Sequence, residues 1–85
     1  MKYIIDYDLR APGRNYDDLI TAIKAYGSWA KICKSTWAIK SDSSSAAIRD
    51  NLMQYIDKND VLFVAAFSGW SSLNLPKDVV DWLNS

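Results

Sequence analysis

Two aspartates, Asp6 and Asp8, lie two residues apart in the segment Lys2-Tyr3-Ile4-Ile5-Asp6-Tyr7-Asp8-Leu9. On an extended chain that spacing puts both carboxylates on one face. A pair so placed can hold a hard cation such as magnesium through carboxylate oxygen and water, and a metal there can polarise a phosphodiester and activate water without histidine. Aspartates at strand ends also cap turns or pair with a nearby arginine, so both readings stay open. Just beyond them, Arg10, Gly13 and Arg14 fall in or beside a short loop, Ala11-Pro12-Gly13-Arg14-Asn15, that runs into a helix start. Backbone N–H groups at a helix N-terminus and arginine forks both suit phosphate oxygens. The loop is not a P-loop, since it lacks the second glycine and the Lys-Ser/Thr ending. A solvated turn with its arginines paired to Asp17 or Asp18 is the alternative. Lys31, Lys34 and Lys40 are further cations that can meet phosphate or guard a strand edge.

The rest of the composition narrows the chemistry. There is no histidine, which removes histidine-based acid–base catalysis, Ser-His and Cys-His nucleophiles and His-ligated zinc. Cys33 is the only cysteine, so one chain can form neither a disulfide nor a thiolate metal cage, and a buried structural thiol is expected. Ten Lys and Arg balance ten Asp, so no global field draws in a polyanion and any phosphate site must be local. The balance is uneven along the chain. Residues 1–40 carry seven Lys and Arg against four Asp, and residues 41–85 carry three against six. Four Trp and five Tyr are a high aromatic load for this length, and Trp29, Trp37, Trp70 and Trp82 can serve as core, dimer seam or base-stacking platform.

These residues need elements to position them. The 85 residues suffice for one small domain, with the 49% hydrophobic and 24% charged content of an ordinary globule. Residues 2–9 alternate as a strand with Tyr3, Ile5 and Tyr7 on one side and Ile4, Asp6 and Asp8 on the other. Asn15 can cap a helix that begins at about Tyr16 and ends at Gly27. Two short strands are expected at 29–33 and 35–40, joined by a tight connection or bulge. The serine-rich segment 41–45 opens a second helix that carries Ile48, Leu52, Tyr55 and Ile56 and ends near Asp57. The apolar run Val61–Phe67 reads as a strand buried on both faces or central in a sheet. A short tail helix follows, with Pro76 as first helical residue and Val79, Val80, Trp82 and Leu83 as its apolar face.

The order strand, helix, strand, strand, helix, strand predicts an α+β, ferredoxin-like βαββαβ fold: a four-stranded antiparallel sheet with two helices on one face. Residues 1–68 form this core, and residues 69–85 are a C-terminal extension that packs on it or on a dimer partner. Ile4, Asp6 and Asp8 belong to the second face of the sheet, because Tyr3, Ile5 and Tyr7 are needed under the helices. A bare face on so small a domain favours a homodimer. No apolar run reaches the length of a membrane span and the N-terminus lacks the pattern of a signal peptide, so a cytoplasmic location without membrane partners is expected.

Several of these features together resemble a known family. They are the first strand ending in Tyr7-Asp8-Leu9, a helix ending in Tyr26-Gly27, the segment Lys34-Ser35-Thr36-Trp37, a serine-started helix with Ile48-Arg49 and Leu52, and Asp60 before an apolar strand. The pattern over about residues 1–68 is similar to the small CRISPR adaptation proteins, which include the non-integrase subunit of the spacer-acquisition complex, with VapD-type ribonucleases and SinR-like proteins as wider relatives. The resemblance implies a ferredoxin-like homodimer in which Asp8 faces its symmetry mate across a cleft. Some members use that aspartate for magnesium-dependent nuclease activity, and others are non-catalytic scaffolds.

Two functions follow as expectations. The first is a homodimer that binds nucleic acid or nucleotide phosphates at the dimer cleft, with Arg10, Arg14 and Lys34 on phosphate and Trp37 stacking on a base. The second is a magnesium-dependent endonuclease or phosphodiesterase, in which Asp8 of each protomer holds the metal with Asp6 in support. One carboxylate per chain without a visible general acid favours binding over catalysis.

Overall fold

In the computed structural model, residues 1–11 and 15–85 are described. Strand β1 (Lys2–Asp8), helix α1 (Asp17–Lys24), strands β2 (Trp29–Cys33) and β3 (Thr36–Lys40), helix α2 (Ser45–Leu52), a 3-10 turn (Met53–Tyr55), strand β4 (Val61–Phe67) and helix α3 (Lys77–Leu83) follow in that order. The sheet order is β2-β3-β1-β4 with every neighbouring pair antiparallel, which is the ferredoxin-like α+β arrangement. No helix among the described residues is long and apolar enough to cross a membrane.

Local chemistry explains the boundaries. Asn15 accepts the N–H of Asp17 at 2.8 Å through its side-chain oxygen, and Asp17 and Asp18 occupy the first turn of α1, where the helix dipole favours carboxylates. After α1 the chain turns at Gly27, whose φ of +92° strains any residue with a Cβ. Ser44 caps α2, its hydroxyl accepting the N–H of Ala47 at 3.1 Å. Pro76 occupies the cap position of α3, one residue before the helix begins.

The main core lies between α1, α2 and one face of the sheet. Tyr3, Ile5 and Tyr7 of β1 pack there with Leu19 and Ile23 of α1, Trp37 and Ile39 of β3, and Ile48 and Leu52 of α2. Full burial of each large aliphatic side chain in this set contributes about 1.5–3 kcal/mol. The alternation read from β1 is therefore correct: the odd positions face the helices, and Ile4, Asp6 and Asp8 share the opposite face.

That opposite face is partly covered by the chain's own tail. Val79 and Leu83 of α3 bury Ala30 of β2, with Ile32, Phe67, Trp70, Leu75 and Trp82 around them. Lys2 donates to the carbonyl of Leu83, placing a cation at the negative end of the α3 dipole. Lys40 donates to the Ser85 hydroxyl and lies 5.3 Å from the Trp82 ring centre. The extension thus packs on its own domain, over the β2 side.

Two expectations need correction. Strand β4 is neither central nor buried on both faces: it is an edge strand, paired with β1 alone, with Val61 44% and Phe63 58% exposed. An unbroken apolar run is also what an edge strand shows when one face meets helices and the other is left open, and periodicity alone does not separate the cases. Cys33 is exposed rather than buried. The β2–β3 register shifts between Lys31 and Cys33, a bulge of the kind that re-aims side chains at a strand end.

Candidate functional site

The chemistry-bearing residues gather at the end of the sheet where β1 leaves it. Asp6 and Asp8 project there from the second face, opposite Phe63 and Val61 of β4 respectively. The β2–β3 turn, with Lys34 in it, lies at the same end, since the N–H of Tyr7 donates to the Ser35 carbonyl at 3.1 Å and Asp6 pairs with Thr36. Lys34 is exposed.

Each aspartate has its own neighbour. Asp6 accepts the Thr36 hydroxyl at 2.7 Å, a cross-strand contact on an exposed surface. Asp8 pairs with Arg10, whose Nε lies 2.9 Å from Oδ2, and both side chains are more than half exposed. Exposed pairs of this kind contribute about 0–1 kcal/mol, so the contact orients Arg10 without consuming it. The pair is held through Nε, and among the described residues nothing else engages the guanidinium. A cation held by Asp8 Oδ2 would compete with this arginine. Among the described residues there is no group of three or more His, Cys, Asp or Glu placed to hold a metal.

Asp60 builds the floor of this region, a role that motif reading did not assign. Its Oδ1 accepts the backbone N–H of Arg10 at 2.6 Å, and its Oδ2 accepts the Tyr16 hydroxyl and the Asp57 N–H, each at 2.7 Å. One carboxylate thereby ties the exit of β1, the start of α1 and the turn before β4 together. Its sequence signal was the turn Asp57-Lys58-Asn59-Asp60, where aspartates commonly accept nearby backbone N–H groups; the long-range partners carry no such signal.

Trp37 takes a different place from the one expected. It is 2% exposed in the main core, its indole N–H donates to the Tyr7 hydroxyl at 3.1 Å, and its ring centre lies 5.4 Å from that of Trp29 in a tilted pair. The pairing of Trp37 with Ile5 puts it on the helix side of the sheet, away from Asp6 and Asp8. Trp37 is therefore a core residue rather than a stacking platform. Arg14, with Pro12 and Gly13, lies outside the described residues. The site region thus unites Asp6, Asp8, Arg10 and Lys34.

Compared with known proteins, the chain matches no family model and no curated relative.

Proposed function

We propose that the protein is a cytoplasmic homodimer of the small CRISPR-adaptation type that binds nucleic acid or nucleotide phosphates at a cleft completed by the second copy. The observation that carries this reading is the placement of Arg10, held by Asp8, and of the Lys34 turn at the same end of the sheet. An oriented guanidinium and a mobile ammonium are complementary to a phosphate group. Asp8 in this reading positions Arg10, and Asp6 ties the Thr36 hydroxyl to the same surface.

The test is binding of short single-stranded RNA, single-stranded DNA and cyclic nucleotides, read as a rise in Tm and by fluorescence anisotropy. Arg10→Ala and Lys34→Ala are each expected to weaken binding by about 5- to 10-fold, corresponding to roughly 1–1.4 kcal/mol per phosphate contact. A ligand of the native state must stabilise it, so an unchanged Tm with every probe would overturn the reading. The same samples with magnesium test the nuclease alternative: cleavage present in the wild type and absent in Asp8→Asn would replace binding with catalysis as the function.

A further inference from the structure

Strand β4 has one partner, β1, and an outer edge that no described backbone group pairs with. Alternate N–H and C=O groups of an edge strand point outward and template another strand. Natural edges are usually blunted by a charge, a proline, a bulge or very short length. β4 has none of these devices: it is seven residues long, Val-Leu-Phe-Val-Ala-Ala-Phe, with an unbroken register against β1.

The sequence of β4 is also complementary to itself. Antiparallel pairing of two copies about a two-fold axis at Val64 matches all seven residues. It sets Phe63 opposite Ala65 of the second copy, Leu62 opposite Ala66, and Val61 opposite Phe67. Two of these three pairs place a large side chain against alanine, and the third sets the smaller Val61 against Phe67. Directly opposed side chains are the unit of sheet stabilisation. Phe63, 58% exposed in one copy, gains a neighbour that leaves room for its ring. On the helix side, the groove beside β4 is lined by Ser45, Ala46 and Arg49 of α2 with Leu62, Phe63 and Val64, so Ser45 and Ala46 leave room for a second α2 and the exposed Arg49 borders the same groove.

We infer that the partner of this protein is a second copy joined edge to edge through β4, giving one eight-stranded antiparallel sheet. The inference rests on the homodimer of the proposed function and sets its interface at the β4 edge, in place of the cleft between two Asp8 residues that the resemblance implies. The register has a consequence for the site. Asp8 lies opposite Val61 of its own β4, and Val61 meets Phe67 of the second copy. Each phosphate-binding end is therefore faced by the chain that follows Phe67 in the other copy, which supplies the second wall of the cleft. The two Asp8 residues lie about 20 Å apart along the strands, six residues at roughly 3.4 Å each, too far to share one metal ion.

The experiment is sedimentation of the full chain with Phe63→Lys, with Ala65→Glu, and with both changes in one chain, folding being checked by far-UV circular dichroism. Wild type is expected to be a dimer, and each single variant to raise the dimer Kd by about 100-fold or more by burying a charge against an apolar neighbour of the second copy. The double variant restores the dimer, because the introduced lysine of one copy then meets the introduced glutamate of the other, and the two-fold axis repeats the pair. A wild type that is monomeric at about 100 µM overturns the inference, as do dimeric single variants or a double variant that stays monomeric. A dimer that binds no nucleotide leaves this interface standing and sinks the proposed function; a monomer that binds nucleotide overturns this interface together with the homodimer of the proposed function and leaves only phosphate binding at the Arg10 end.

Discussion

At the residue scale, the least conspicuous acidic residue near the site has the largest structural role. Among the described residues Asp6 and Asp8 each meet one neighbour on an exposed surface, whereas Asp60 accepts hydrogen bonds from Arg10, Tyr16 and Asp57, in separate segments. Asp60→Ala removes all of them and leaves donors in a half-buried region without an acceptor, so a loss of about 2–4 kcal/mol is expected in urea denaturation. Asp8→Ala, by contrast, is expected to cost less than about 1 kcal/mol; an equal loss for the two variants would contradict this division. Trp37 gives a second contrast. Trp37→Ala is expected to destabilise the fold by about 3–5 kcal/mol by opening a cavity in the main core. Trp37→Phe, which keeps most of the ring and loses the bond to Tyr7, should leave nucleotide affinity at the wild-type value, because the ring lies under the helices and away from Arg10. Reading the sequence offered Trp37 as the residue that stacks on a base, but strand parity decides the face: its register partner is Ile5, a core residue.

At the scale of elements, the order of every strand and helix was legible, because each is written in short-range chemistry; the end of α2 was not, since the helix read to about Asp57 stops at Leu52 and continues only as a 3-10 turn to Tyr55. The alternation in β1, the serine cap of α2 and the turn residues before β4 all act within a few positions. What was not legible depends on which element lies beside which. The run Val61–Phe67 reads the same whether the strand is central or at an edge, and the exposure of Cys33 depends on a bulge against β3. The tail was legible as a helix but not as a cover, since its apolar face fits its own sheet or another's. In the structure Val79 and Leu83 close over Ala30. Leu83→Ala is expected to cost about 2–3 kcal/mol, the low end for a leucine in a cluster near the surface. Gly27→Ala should cost about 1–2 kcal/mol, measured by thermal unfolding. A Cβ at Gly27 meets nothing within 4 Å, so the whole penalty comes from holding a positive φ.

At the scale of the whole molecule, the fold gives its two sheet faces unequal tasks. The helix side holds the large core, and the other side is divided between the tail over β2 and the open end with Asp6, Asp8, Arg10 and Lys34. The apolar groove between tail and sheet, about 220 Å³ and lined by Ile4, Ile32, Phe67, Trp70 and Leu75 among others, separates the two halves. If β4 joins two copies, stability becomes dependent on concentration, because dimerisation is a ligand of the folded chain. Tm is then expected to rise with protein concentration in the wild type and to stay constant in Phe63→Lys.

The two margins of the sheet also differ in what they permit. β2 carries a register shift, an exposed Lys31 and the flanking wall of α3 with Asp78 and Trp82, while β4 is long and uncharged. A subunit with two open margins would add copies without end and grow into a ribbon. If β4 is the one open margin, it is consumed in the first encounter, so assembly is expected to terminate at two and the concentrated protein to stay free of fibres.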